Sequence, residues 1–519
     1  MSKQDNQQDT SRRSFLAATG TVIAAGALPS LAKGMQTRVD IELPTNATDL
    51  CFTSPSQLAA LIKSHRLSAV EVMTAYLDRI DTINPHINAI VSQIPRENAL
   101  AQAEEADKAV VRGDDLGVFH GLPIAIKDTA DVKGMPTTVG SRLLKDNIAK
   151  KDSLFVSRLR EAGMLFIGKT NVPDFAGGSH TVNKLFGATR NPYNLGKSAG
   201  GSSGGAAAAL AAGLMPVADG SDLGGSIRNP GSFNNLVGLR PSVGRVPSVR
   251  EHGWQSQLAV EGPIGRTVRD TADMLAVMAG PDARDPLSIM EPGDQFRREL
   301  GRDFKGSKIA WAGDLGQLTV DSEVLKICQT AMSRFEELGC NVEAAYPDVS
   351  GGMESFQVDR AFVFAGLSKM VPRSKWDILP AHIIWNIEKG LKLTIDDFLY
   401  ASKLRTAVYH RIIDFLTRYD FIALPTSQVP AFDIELDWVR EINGQKMETY
   451  IDWMASCCIM STTQLPAISV PCGFTRAGLP VGLQIVGGYK KDFDVLQIAH
   501  AFEQVTGYGK IRPEVIGSV

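Results

Sequence analysis

The feature that most limits how this chain can fold is a run of glycine and serine, Gly200-Gly201-Ser202-Ser203-Gly204-Gly205. A second serine set in glycine follows at Gly224-Gly225-Ser226-Ile227-Arg228. Glycine admits backbone conformations and close approaches that a side chain forbids. Two serines held in such backbone suggest a nucleophile, a helper and a set of aimed N–H groups. A flexible linker has the same composition, but the flanks argue against one. The run leads directly into Ala206 to Gly213, a strong helix former closed by glycine, and then into the apolar segment 214–218, which reads as a strand. The glycines therefore belong to a tight loop inside a folded core.

Composition narrows the class. The chain has 519 residues, 44% of them apolar and 21% charged, as in ordinary globular proteins. A net charge of −3, without a block of like charge, gives no basis for a nucleic-acid partner. The length permits two or three domains, yet no linker or repeat interrupts it, so residues 50–519 are expected to form a single domain behind a lead-in at 33–49. The N-terminus is different. Ser11-Arg12-Arg13-Ser14-Phe15-Leu16 precedes a moderately hydrophobic stretch from Ala17 to Leu28, and small residues at Ser30 and Ala32 suit cleavage before Lys33. Residues 1–32 read as a twin-arginine-like signal peptide, which implies a periplasmic or secreted protein. That apolar run is too short to span a bilayer comfortably, and no other run reaches about 18 apolar residues, so no membrane span is expected in the mature protein. The cysteines, Cys51, Cys328, Cys340, Cys457, Cys458 and Cys472, are irregularly spaced and read as mostly buried apolar residues. No cluster has metal-ligand spacing, so no metal and no cofactor is expected.

Periodicity points to an α/β fold. Capping-box patterns at Ser54 and Ser68 open amphipathic helices, the second with Val72, Met73, Tyr76, Leu77 and Ile80 on one face. Strands are expected at 122–127, 164–167, 309–311 and 421–424, with a hairpin from 467–471 and 481–486. Helices are expected at 154–159, 268–279, 324–338 and 495–505. Alternating helices and strands imply a largely buried sheet. The helical segment 376–415, with Trp376, Trp385, Phe398 and Tyr400, reads equally as a cap over a site or as plain helical core.

Two motifs match common patterns without their context. Gly163 to Thr170 fits the phosphate-loop pattern, but its four central residues are large and apolar and Pro173 interrupts the expected helix. The Gly/Ser run fits G-x-S-x-G around Ser202 or Ser203, but the segment before it, 191–197, is turn-like rather than a strand. His252, His382, His410 and His500 carry no local signal for a Ser-His-Asp triad. Lys127 is sharper. It ends the apolar run Leu122-Pro123-Ile124-Ala125-Ile126, and a desolvated lysine loses its proton readily and can serve as a general base.

Taken together, Lys127, Gly200 to Gly205 and Asp222-Leu223-Gly224-Gly225-Ser226-Ile227-Arg228 resemble the amidase signature family, whose catalytic device is a Ser–cis-Ser–Lys triad. The resemblance continues through Gly168-Lys169-Thr170-Asn171, Asn191-Pro192, Val237-Gly238-Leu239-Arg240-Pro241, Gly262-Pro263-Ile264 and Leu479-Pro480-Val481-Gly482-Leu483-Gln484. It implies a large mixed, twisted β-sheet covered by helices on both faces. It implies that Ser226 is the nucleophile, Ser202 the bridging serine and Lys127 the base. The N–H groups of Leu223, Gly224, Gly225 and Ser226 match the oxyanion hole, and Ala176, in the 175–178 loop, matches the border of the substrate cavity. Ala199, Ser221 and Gly231 depart from residues common in the family, and none of the three is expected to touch the triad.

The implied activity is hydrolysis of a carboxylic acid amide through a seryl acyl-enzyme, with a small-molecule amide as the partner. Two other readings share the residues: the glutamine-hydrolysing component of a tRNA-dependent amidotransferase, and an inactive amide-binding protein on the same scaffold. Aryl, fatty acyl, aliphatic and peptide amides all stay open as substrates, as does a homodimer.

Overall fold

The computed structural model describes residues 41–249 and 258–514. The expected signal peptide, residues 33–40 of the lead-in and His252 lie outside the described residues.

Two sheets carry the fold. Strands β1 (Ile90–Val91), β2 (Pro123–Lys127) and β3 (Leu165–Thr170) form the smaller one in the order β1-β3-β2, with β2 parallel to β3. The larger is built from β4 (Ala218–Asp222), β5 (Val237–Arg240), β6 (Val260–Gly265), β7 (Lys308–Trp311), β8 (Asn341–Ala344), β9 (Phe421–Pro425), β10 (Ala467–Phe474) and β11 (Pro480–Val486). Its order is β8-β7-β9-β11-β10-β5-β6-β4. β7 runs parallel to both β8 and β9, and the other pairs are antiparallel, so the sheet is mixed as expected.

Side-chain alternation explains why both faces are covered. Successive residues of a strand point to opposite faces, and here both sets are apolar. Ile309, Phe421 and Ala423 join one core, packed with Val324, Phe335, Val495 and Phe502 from helices. Their neighbours Ala310, Ile422 and Leu424 join a second core with Val408, Ile412 and Ile459, also from helices. Burying both faces of a strand leaves no polar alternation, which is why these strands read as continuous apolar runs.

Several expected elements shift. The apolar run 214–218 is not a strand. The strand begins at Ala218 and reads Ala-Asp-Gly-Ser-Asp, with Asp219 and Asp222 buried. Apolar content misplaced it because this edge strand holds polar groups inward for the site. The 191–197 segment is not turn throughout: Asn194–Ser198 pairs with Arg190–Asn191 as a short hairpin. The helix expected at 324–338 is two, Ser322–Ala331 and Ser333–Glu337. Ser68 and Glu71 form the full capping box, whereas the Ser54 side chain caps the Gln57 N–H without the reciprocal bond to the backbone. All six cysteines are buried free thiols, and no helix among the described residues is long and apolar enough to cross a membrane.

Gly168-Lys169-Thr170 is the end of β3, not a phosphate loop. Lys169 Nζ is buried and donates to the carbonyl oxygens of Ala130 (2.8 Å) and Pro136 (3.1 Å), with Asp128 Oδ1 at 3.4 Å. The Gly/Ser run opens the buried Gly204–Ala211 helix. A Cβ on Gly205 would stand 2.3 Å from the Asn171 nitrogen and 2.7 Å from the Ala89 oxygen, both backbone atoms that cannot swing away. Gly205→Ala is therefore expected to destabilise the fold by about 1–3 kcal/mol or more, read as a lower urea midpoint at unchanged m-value.

Candidate active site

Lys127 closes β2 against the edge of the larger sheet. Its backbone N–H is shared between the two carboxylate oxygens of Asp219 on β4, at 3.1 and 3.3 Å. Its side chain is wholly buried, and Nζ donates to Ser202 Oγ (2.9 Å), Ser203 Oγ (2.8 Å) and Ser221 Oγ (2.9 Å), with Ser221 O at 3.3 Å. No carboxylate reaches the ammonium within ion-pair distance among the described residues. Burial disfavours the charged form, and the charges of Glu261, Asp219 and Asp222 offset this in part, leaving the lysine pKa lowered to about 8. A neutral amine has two donors and one lone pair, so one surrounding hydroxyl can turn its proton toward Nζ. The same cage therefore serves both protonation states.

Ser202 is presented by the glycine turn. Gly200 takes a left-handed φ of +73°, and the Gly201–Ser202 peptide is cis. Side chains behind the turn hold its carbonyls: Ser179 Oγ donates to Gly201 O at 2.6 Å and Thr181 Oγ1 to Gly200 O at 2.8 Å. The Ser203 N–H reaches the Ser226 carbonyl at 3.2 Å, which ties the two serine loops together. Ser226 is half-buried and shares a cavity wall with Ser202. No hydrogen bond joins its Oγ to Ser202 among the described residues.

The loop carrying Ser226 is folded around one carboxylate. Asp222 Oδ1 accepts from Arg228 Nη2 (2.8 Å) and the Gly225 N–H (2.8 Å), and Arg240 Nη1 lies at 3.3 Å. Its Oδ2 accepts from Arg228 Nε (3.0 Å) and the Ile227 N–H (3.1 Å). Burial raises the Asp222 pKa, but Arg228, Arg240 and the Gly225 N–H outweigh it and hold the carboxyl well below its usual range. This arrangement corrects one expectation. The Gly225 N–H is bound to Asp222 and is not aimed at the cavity. The N–H groups of Gly224 and Ser226 meet no acceptor among the described residues, and both residues line the cavity with Leu223. Gly225 instead makes the turn at φ +113°, where a Cβ would meet Cys457 Cβ at 2.7 Å.

The cavity has a volume of about 290 Å³. Ala176 lies in its wall, next to Phe175, both at positive φ (+54° and +51°). The opposite wall comes from the Gly352–Ala365 helix through Phe356, Arg360, Val363 and Phe364, not from 376–415. Within that later segment Trp376 is buried against Phe364 and Ile383, and Trp385 lines a separate, larger cavity of about 800 Å³. Gly178 and Tyr450 border both cavities.

Sequence reasoning missed several groups. Ser221 was expected to stand clear of the triad and instead bonds Lys127; any hydroxyl-bearing residue there supplies the same contact, so threonine in its place is not a chemical departure. Ser203 was visible only as the second serine of the pair. Asp222 and Arg240 were visible only as members of the motifs that carry the resemblance, with no role attached, and Asp219 carried no signal. His382 and His180 donate to or accept from neighbouring loop atoms and do not approach Ser226 or Ser202.

Known proteins resemble this chain over most of its length. The family profile described as Amidase matches residues 71–496. The chain is 38% identical over 482 residues to an acylamidase from Rhodococcus erythropolis, covering 90% of this chain and 98% of that protein. It is 34% identical over 476 residues to the A subunit of the glutamyl-tRNA(Gln) amidotransferase from Alkaliphilus metalliredigens, covering 86% and 94%. Among solved structures, a bacterial aryl acylamidase of the amidase signature family superimposes with a TM-score of 0.85 at 30% identity, covering 90% of this chain and 99% of the other. The 6-aminohexanoate cyclic dimer hydrolase follows with a TM-score of 0.81 at 27% identity, covering 90% and 100%.

Removing the carboxylate that shapes the Ser226 loop leaves two buried guanidiniums without that counter-charge. Asp222→Ala is expected to cost about 3–5 kcal/mol of stability, measured by urea denaturation. Because its folded pKa is depressed, this carboxylate's contribution is complete above about pH 4, its ordinary value, and is lost as pH falls below that. The difference between wild type and variant should therefore shrink in acid.

Proposed function

The chain belongs to the amidase signature family and hydrolyses carboxylic acid amides, and on that premise we propose that Ser226 is the nucleophile, Ser202 the proton relay and Lys127 the base. The observation that carries this assignment is the buried Lys127 Nζ, 2.9 Å from Ser202 Oγ and surrounded only by neutral partners. Neutral Lys127 takes the Ser202 proton while Ser202 takes that of Ser226, whose Oγ bonds to the amide carbon. Ser226 turns toward Ser202 to close the second link, as catalytic hydrogen bonds often do only with substrate in place. The carbonyl oxygen gains negative charge and faces the N–H groups of Gly224, Ser226 and Leu223, each worth about 3 kcal/mol at the barrier. The proton returns from Lys127 through Ser202 to the leaving nitrogen as the C–N bond breaks. Water then repeats the sequence on the ester and frees Ser226.

Similarity to the glutamyl-tRNA(Gln) amidotransferase protein supports a second reading, hydrolysis of glutamine within a larger assembly. The higher identity to an acylamidase favours hydrolysis of a free amide. We also propose export. The paired Arg12-Arg13 ahead of a short apolar stretch supports a signal over residues 1–32, a lead-in at 33–49 and one amidase domain at 50–519. An N-terminus at or near Lys33 on protein recovered from the periplasm would support this; retention of Met1 on cytoplasmic protein would refute it.

Ser226→Ala is expected to lower amide hydrolysis by roughly 1,000-fold or more while the urea midpoint stays near wild type. A variant that keeps most activity would remove Ser226 from the nucleophile role. Since Lys127 acts in its neutral form, with a pKa lowered to about 8, kcat/KM should rise toward that pH with a limiting slope of about one log unit per pH unit and then level. Lys127→Ala should abolish this limb; an unchanged profile would assign the base elsewhere.

A further inference from the structure

Six lysine and arginine side chains are buried among the described residues: Lys127, Lys169, Arg228, Arg240, Arg245 and Arg360. Four of them face a carboxylate. Lys169 lies 3.4 Å from Asp128, Arg228 and Arg240 lie 2.8 and 3.3 Å from Asp222, and Arg245 lies 3.1 Å from Asp492. Lys127 and Arg360 have no such partner among the described residues. Arg360 is part of the cavity wall, and Lys127 sits directly behind Ser202 and Ser221, which line the same cavity. Lys127 has a chemical reason to be unpaired, since a carboxylate beside it would hold its proton. Arg360 needs another.

Its hydrogen-bond partners are neutral, and the carboxylate that acts on it, Asp452, does so only beyond ion-pair distance, its oxygens accepting from Thr449. Arg360 is 3% exposed. Nη1 donates to Tyr450 Oη at 2.8 Å and to Asn386 Oδ1, Nη2 donates to Gln357 Oε1 at 2.7 Å, and buried Nε has no partner. Asn386 Nδ2 in turn donates to Tyr450 Oη at 2.6 Å, which fixes the phenol against the guanidinium. The guanidinium carbon lies 5.4 Å from the Trp385 ring centroid and 5.5 Å from that of Tyr450, so the aromatic faces supply part of the missing negative field. Along the same helix Phe356, Val363 and Phe364 make the adjoining wall apolar. A full positive charge held at a buried position without an ion-pair partner among the described residues is costly to the free protein and is relieved by an anion entering the cavity.

We propose that Arg360 is a specificity-determining residue that pairs with a carboxylate carried by the substrate, so that the preferred amides bear a free carboxylate beyond the scissile bond. The inference rests on the amide-hydrolase reading above. It leaves two positions for the carboxylate, on the acyl half or on the amine half, and matched pairs of small amides distinguish them. Succinamate against butyramide tests the acyl side, and N-acetyl-β-alanine against N-propylacetamide tests the amine side.

In at least one pair the carboxylate member should be favoured roughly 10- to 100-fold in kcat/KM, the worth of one hydrogen-bonded charge in a buried site. Arg360→Met should remove that preference mainly through KM, and Arg360→Lys should restore part of it. A merely structural arginine would behave differently: Arg360→Met would lower Tm and reduce all four rates alike. Without any substitution, succinate but not 1,4-butanediol should inhibit hydrolysis of acetanilide by the wild-type enzyme. Equal or better turnover of the neutral members in both pairs, or no inhibition by succinate, overturns this inference while acetanilide hydrolysis leaves the amidase reading standing. Hydrolysis of none of these amides overturns both.

Discussion

The Asp222 carboxylate is the point on which the site's geometry depends. It sits at the end of edge strand β4, and its two oxygens gather two guanidiniums and the Gly225 and Ile227 N–H groups of the loop that follows. A carboxylate and two arginines are expensive to bury, and the cost is recovered only when nearly every lone pair and N–H is used. That requirement fixes the path of the chain from Leu223 to Arg228. The backbone must curl so that alternate N–H groups turn inward to Asp222, which leaves those of Gly224 and Ser226 without an acceptor. The ion cluster also reaches an interior strand of the sheet and the Ala455–Thr462 helix, since Arg228 donates to Gln484 on β11 and to Ser461 Oγ at 2.7 Å. The Ser226 loop is thereby anchored to the sheet and not only to its own turn.

Two buried charges a few residues apart in the fold are handled in opposite ways. Asp222 is surrounded by positive charge and oriented dipoles, and it stays ionised far into acid. Lys127 is buried as deeply but meets only serine oxygens, so burial prevails and its pKa falls to about 8. Hydroxyl partners suit a base because each can accept from an ammonium or donate to an amine without rearrangement. The carboxylates nearest to Lys127 act at longer range, and Asp219 is bound to its backbone N–H rather than its side chain. Acid–base roles follow from such contrasts of environment rather than from residue type.

Much of the fold could be read along the chain where strands are buried on both faces, as at 421–425, because a continuous apolar run bounded by turns has few other interpretations. The reading failed at 218–222, where Asp219 and Asp222 are turned into the protein interior and apolar content no longer marks a strand. It failed at the cavity wall for a similar reason: the Gly352–Ala365 helix has mixed residues all round, so nothing local says that Phe356 and Arg360 face a cavity while Phe362 faces solvent. The triad candidates were legible since glycine-set serines and a lysine at a strand end are unusual combinations, and the resemblance to a family sorted their roles.

The sequence by itself determined which groups the site can contain: a lysine with no place in water, serines without bulky neighbours, and glycines that let backbone approach backbone. Only the tertiary structure decided how their hydrogen bonds are shared. Ser203 and Ser221 join Ser202 around Lys127, the Gly225 N–H goes to Asp222, and Arg360 is left without a counter-charge. A hydrogen bond is a contest among all donors and acceptors within reach, and for these groups most competitors are remote in sequence: Asp219 lies 92 residues from Lys127, and Ser461 lies 233 from Arg228. No local pattern can report the outcome of that contest, because it is settled when the sheet and its covering helices bring the competitors together.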